Sequence, residues 1–179
     1  MNKFIISTYL LLFFGFNTIA QNKYVDVIKS RANLYATATK KHSFKDIVSL
    51  TYPKYVSLVN KDTLLSQVSK DMVDLQNVGL QYKSIIFAEP KQIHTSTDEI
   101  YCILPQKIIK NNSQGEIKIN TYLFAISNNQ GENWFFLTED EFLKNKKVLF
   151  PLLDNKIELP KTSSKFIRNR NFSSFDKPN

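Results

Sequence analysis

The sequence predicts an α+β fold in which N-terminal helices pack on an antiparallel sheet of about four strands. Three observations predict it. Apolar residues recur at helical spacing up to Gly79, and beyond Gly79 they alternate every second residue. Two polar stretches, 111–115 and 128–133, then have the Asn, Ser and Gly content of hairpin turns. Composition agrees: of 179 residues, 42% are apolar, 13% aromatic and 22% charged, which leaves little room for disorder throughout.

The helices come first. Over 24–39, Tyr24, Val27, Ile28, Leu34, Tyr35 and Ala38 fall on one helical stripe, which Lys40-Lys41-His42 breaks. Ser43 with Asp46 resembles a capping box and opens a second helix through Ile47, Val48 and Leu50. Pro53 kinks or restarts the path, and Tyr55, Val56, Leu58 and Val59 continue it as a short helical segment. Asp62 is the expected N-cap of a fourth, in which Leu64, Leu65, Val68, Met72 and Leu75 make the clearest amphipathic stripe.

Strands are expected at 80–87, 100–109, 116–127 and 134–137, with a possible edge strand at 157–159. Thr138 and Glu141 have capping-box spacing and start a last helix through Phe142 and Leu143. Centring the first hairpin on Ser113 sets Cys102 opposite Phe124 and Leu104 opposite Tyr122. The second turn sets Ala125 opposite Phe136. Both faces of this sheet are then apolar away from the Ser113 turn, whereas a sheet with one wet face alternates cleanly. Helices can cover one face. The other calls for the tail, a ligand or a second copy of the sheet.

Residues 1–20 read as a secretory signal peptide, with Lys3, an apolar run from Phe4 to Phe16, and Thr18 and Ala20 before Gln21. The run is short for a transmembrane helix, and no cysteine follows it to take a lipid. The expected product is periplasmic or extracellular and not a lipoprotein. It comprises a domain at 21–160 and a basic, flexible tail at 161–179. A domain of this size can bury roughly 70% of its unfolded surface. It needs no staple, and the single cysteine allows neither an internal disulfide nor a multi-cysteine metal site. The formal charge is +8, but 21 Lys stand against 3 Arg, and two of those Arg lie in the tail. Phosphate and base recognition favours the planar arginine fork, so no nucleic-acid partner is expected.

The stretch Ser43-Phe44-Lys45-Asp46-Ile47-Val48-Ser49-Leu50-Thr51-Tyr52-Pro53, the helix at 64–75, and Thr121-Tyr122-Leu123-Phe124-Ala125-Ile126-Ser127 leading to Trp134-Phe135-Phe136 carry a resemblance. In element order the chain resembles the NTF2-like, or more broadly cystatin-like, superfamily, and in particular small secreted bacterial proteins of unknown function in it. The resemblance covers roughly residues 23–159. It implies a curved sheet forming a cone whose mouth can hold a ligand; it implies no activity, because function resides in the site.

Candidate chemistry is sparse. An isomerase-like site would need a carboxylate base among Asp71, Asp74 and Asp98 and donors among Tyr55, Tyr82, Tyr101 and Tyr122. Asp74 falls on the solvent side of its helix, while Asp71 sits at the border of the apolar stripe. Arg31 is the only arginine of the body and reads as a helix-surface charge. Cys102, in a strand and far from His42 and His94, reads as a small buried hydrophobe. Glu139-Asp140-Glu141 suits the positive end of a helix dipole better than a metal. Ser127-Asn128-Asn129-Gln130-Gly131-Glu132-Asn133-Trp134 resembles the Asp-box of sialidase-type propellers, with Asn129 and Asn133 in place of its Asp and Thr. A single copy reads as a turn.

These readings lead to a non-catalytic binding or interaction module without metal or cofactor. Its partner is a homodimeric copy through the sheet face, or an apolar small ligand near Tyr55, Tyr101 and Tyr122. The tail offers a contact for an anionic surface. The alternative is a small-pocket isomerase or hydrolase.

Overall fold

The computed structural model describes residues 24–169 except 97, 152 and 154–156. The leader at 1–20 and the tail beyond 169 lie outside the described residues. Among those described, no helix is long and apolar enough to cross a membrane.

Helix α1 is described over 24–40. Its buried stripe is Ile28, Ala32 and Ala36, spaced by four, with Thr39 beside it. The two alanines let the helix approach the sheet closely. Leu34, expected in that stripe, is exposed. Helix α2, Phe44–Leu50, begins without the expected capping box: the Ser43 hydroxyl donates to Asp46 Oδ2 instead of accepting a backbone N–H. Thr51 then bridges Phe136 in parallel, and Tyr52 N donates to Phe136 O at 3.1 Å. Pro53 opens α3, Pro53–Val59, where its missing N–H costs no helical bond. Asn60, not Asp62, caps α4, Lys61–Asn77, by accepting from the Asp62 N–H. Gly79, at φ +67°, turns the chain out of α4.

Six strands follow: β1 Gln81–Phe87, β2 Lys91–Thr95, β3 Ile100–Asn112, β4 Gly115–Ser127, β5 Phe135–Thr138 and, after α5 Glu139–Leu149, β6 Ser163–Arg168. The long β3–β4 hairpin is the spine. On one side of it β1 pairs with residues 106–111 and β2 with residues 100–103; on the other, β5 pairs with 123–126 and β6 with 115–120. Each edge is therefore two short strands in line, and the sheet is nowhere more than four strands wide. β2 was not expected. Nor was β6, which takes residues 163–168 of the segment read as a flexible tail. Residues 157–159 form no strand; the Gln92 side chain holds the backbone of Glu158 through two hydrogen bonds of 2.7 and 2.9 Å.

The sheet is open, neither curled nor closed, which overturns the expected curved, cone-forming sheet. Bending long strands over a core needs bulges. β3 and β4 pair residue for residue from Ile100↔Ser127 to Asn112↔Gly115 with no register shift. The shifts that do occur lie at Tyr82/Ser84 and Lys91/His94, where the outer strands meet the spine.

The hairpin register also differs from expectation by one residue. Cys102 pairs with Ala125 and Leu104 with Leu123. The turn is the two-residue Ser113-Gln114, because Asn112 Oδ1 accepts from the N–H groups of both Gln114 and Gly115. A slip of one residue moves every β3 side chain to the other face. Ile100, Cys102 and Leu104 thus share a face with Leu123, Ala125 and Phe136, and pack under Ile28 and Ala32 of α1. Ile103, Tyr122, Phe124, Ile126 and Leu137 share the other and pack with Phe142 of α5 and with Phe150. The Phe124 and Phe142 rings stack at 4.1 Å. Both faces are apolar here, and the chain's own helices and the residues after α5 cover both.

Candidate functional site

On the α1 side of the sheet, past the end of the packed core, lies a cavity of about 530 Å³. Its floor is Ile85 of β1, Ile108 of β3 and Leu123 of β4. Leu64 and Val68 of α4 form the roof. Alternation along the strands brings those floor residues to one face, and the i, i+4 spacing of Leu64 and Val68 turns both towards them. Tyr35 of α1, Tyr55 of α3 and Tyr82 of β1 stand around the floor, and the first turn of α5 closes one wall.

That wall holds the site's strongest electrostatic feature. The capping box expected at Thr138 and Glu141 is present: Thr138 N and Oγ1 donate to Glu141 Oε2 at 2.7 and 2.9 Å, and Glu141 N donates back to Thr138 Oγ1 at 3.3 Å. Burial raises the Glu141 carboxyl above the ordinary carboxylate range, and the charges of Asp140 and Asp71 raise it further, while the two Thr138 hydrogen bonds pull it down. The phenols respond in turn. Burial, then Glu141, drives Tyr35 upwards, and the same two causes raise Tyr55. Burial and Asp71 raise Tyr82. All three hydroxyls remain protonated donors at neutral pH.

The arrangement binds better than it reacts. Among the described residues no hydrogen bond joins Glu141 or Asp71 to any of the three tyrosines, and Glu141 Oε2 is committed to the helix cap. A general base must reach the proton it removes. At the rim Asp140 is paired with Lys144 at 2.6 Å, both well exposed. Lys110 Nζ lies 4.8 Å over the Tyr82 ring, and Asp71 partly offsets the lowering of its pKa by burial.

Of the three tyrosines proposed from sequence, Tyr55 alone lines this cavity. Tyr101 is half-buried on the opposite face, stacked between His94 at 5.7 Å and Phe124 at 5.8 Å. Tyr122 is fully buried there, its hydroxyl without a hydrogen-bond partner among the described residues. Asp71 does reach the cavity, as its border position suggested. Asp74 is engaged with Lys70 at 2.5 Å, and Asp98 is exposed. Cys102 is fully buried, and burial pushes its thiol up to about 12. His42 lies against Gln76 at 3.0 Å. Among the described residues no group of three or more His, Cys, Asp or Glu side chains is placed to hold a metal ion.

The octapeptide ending in Trp134 is a turn. Asn129 Oδ1 accepts from Asn133 N at 2.9 Å, Ser127 Oγ accepts from Gly131 N at 2.9 Å, and the Trp134 indole donates to Gly131 O at 3.0 Å. Glu141 and Tyr35 were missed as site residues because each already had a local explanation, one in a helix dipole and the other in an apolar stripe. A faint signal existed: an acidic first turn directly after a short apolar strand must sit at the end of the sheet's buried face.

The chain matches no protein-family model, no curated protein and no solved structure. What the chain can do follows from the cavity itself.

Proposed function

We propose that this protein is an exported, non-catalytic binding module that holds a small, partly apolar ligand in the cavity between α1, α4, α5 and the sheet. One observation supports the reading above the others: an apolar floor and roof with three protonated phenols around them border an open cleft of about 530 Å³. Ligand pockets commonly measure roughly 300–1,000 Å³ and combine an apolar lining with a few polar groups. An isomerase or hydrolase would need Glu141 released from Thr138 and brought against a tyrosine. A dimer through the second sheet face has less to support it, because Phe142 and Phe150 already cover that face. Export rests on the leader at 1–20, and kinship with the NTF2-like or cystatin-like group rests on element order alone.

Native mass spectrometry of the full chain, purified under non-denaturing conditions, tests the binding role. The wild type should carry an adduct of small mass that denaturation releases. Val68→Phe, which fills the cavity from its roof, should carry none while keeping a cooperative unfolding transition. A wild type that is bare, or an adduct that persists in the Val68→Phe variant, contradicts the proposal.

A further inference from the structure

We infer that the cavity's ligand is a cation: an organic ammonium ion attached to an apolar aryl or alkyl body. The inference rests on the binding role proposed above and adds the ligand's charge. The chain as a whole carries +8, yet the cavity is lined by three carboxylates, Asp71, Asp140 and Glu141, against one ammonium, Lys144. Carboxylates gathered in one cleft of a basic surface focus a field that draws cations inward and repels anions.

The molecule also supplies its own example of the contact. Lys110 places an ammonium over the Tyr82 ring, with the Asp71 charge acting on both groups. A cation over an aromatic face beside a carboxylate is a favourable combination, stronger where water is partly excluded. The same groups recur on the inner wall: Tyr35, Tyr55 and Glu141 line one cavity, and among the described residues the one cation that lines it with them, Lys144, is taken by Asp140. One oxygen of Glu141 accepts from Thr138. The other, Oε1, has no hydrogen-bond partner among the described residues. A ligand ammonium seated between these rings and Glu141 completes on the inner wall what Lys110 completes at the Tyr82 side. Ile85, Ile108 and Leu123 receive its apolar body.

The test separates charge from shape. Benzyltrimethylammonium, its uncharged isostere neopentylbenzene, and phenylacetate are titrated separately into the full chain, with the ring signals of Tyr35 and Tyr55 followed by NMR. The cation should bind at least about tenfold more tightly than the isostere, and phenylacetate should not displace it. Raising the salt concentration should weaken the cation and leave the isostere unchanged. In Glu141→Gln the preference should fall to roughly threefold or less; glutamine can serve the same helix cap, so the wall is kept. If the isostere shifts Tyr35 and Tyr55 with equal or higher affinity, the ligand is not a cation and the binding role stands. If no probe shifts those two rings, both readings fall together.

Discussion

The two halves of the β3–β4 hairpin share one continuous ladder and live in different surroundings. In the half near the chain's core, residues 100–104 and 122–127, nearly every side chain on both faces is buried, under α1 on one side and against α5 and Phe150 on the other. In the half near the Ser113-Gln114 turn, the same two strands are flanked only by β1 and β6, and most side chains are half-buried. Backbone pairing is equal in both. Packing is not. Hydrogen-bond ladders therefore set the shape of this sheet, and side-chain burial decides where its stability lies. The cavity sits where one regime passes into the other: its floor runs from buried Leu123 to half-buried Ile108 and Ile85.

A pair of truncations tests the difference between the two halves. Phe124 is fully buried, stacked on Phe142 at 4.1 Å and edge-on to Phe150 at 5.1 Å. Phe124→Ala should cost about 3–5 kcal/mol, as large-to-small changes in closed cores do. Ile119→Ala, on the same strand in the half-buried region, should cost about 1 kcal/mol. Urea unfolding of the full chain measures both. The midpoints should separate widely at unchanged slope. Equal losses would mean that the outer half is packed by something beyond the described residues.

Two glycines repeat the comparison with backbone in place of side chains. At Gly131, φ is +88°, and an added Cβ would fall 2.1 Å from the Tyr24 ring, which itself packs edge-on to the buried Trp134. At Gly115 the Cβ would fall 2.2 Å from the Ile167 carbonyl oxygen, with no unusual φ. Gly131→Ala should cost about 2–3 kcal/mol, from backbone strain plus displacement of Tyr24. Gly115→Ala should cost about 1–2 kcal/mol and act locally. The N–H groups of β6 should lose hydrogen-exchange protection in it while those of residues 122–126 keep theirs. Loss of protection along the whole of β4 would contradict the separation of the two halves.

Cys102 reports on the core half without perturbing it. Its thiol is fully inaccessible and pushed up to about 12 by burial, so native protein should react with a thiol reagent only through unfolding. The labelling rate should track stability across the Phe124, Ile119 and glycine variants. Fast labelling of the wild type would show that this half opens on its own.

What the sequence discloses follows the same divide. Where a residue's own spacing carries the physics, it reads correctly: the Thr138/Glu141 capping box, Pro53 at a helix start, Gly79 at a helix end, and the two apolar faces of the central strands. Register is harder. It hinges on whether Asn112 caps a two-residue turn, one side chain's choice that flips every face assignment in β3. β2 and β6 have little buried side to impose alternation: no residue of either is fully buried, and the exposed β6 is Ser163-Ser164-Lys165-Phe166-Ile167-Arg168. Such edge strands have no pattern to show. The cavity was legible only in fragments, Tyr55 and Tyr82 as candidate donors and Asp71 as a border carboxylate. Its lining comes from all five helices and from four strands, β1, β3, β4 and β5, and no periodicity within one element reports that they converge.

The smallest predicted effect concerns the wall between the two regimes. Burial raises the Glu141 carboxyl above its ordinary value of 4.5, with Asp140 and Asp71 adding to the shift. In the folded protein this group therefore holds its proton at a pH where the unfolded chain has released it. Its contribution to stability is full below the ordinary carboxylate pKa and is lost as pH rises through the raised, folded value. Wild-type protein should show a stability component that declines as pH rises from the ordinary towards the raised value, and Glu141→Gln should remove that component while keeping the cap. Subtracting the two stability-against-pH curves isolates it from the other carboxylates, including Glu116, whose pKa is lowered by Lys83 and whose slope has the opposite sign. A flat difference curve would place Glu141 in water rather than in the cavity wall, and one that rises with pH would mean that its hydrogen bonds to Thr138 outweigh its burial.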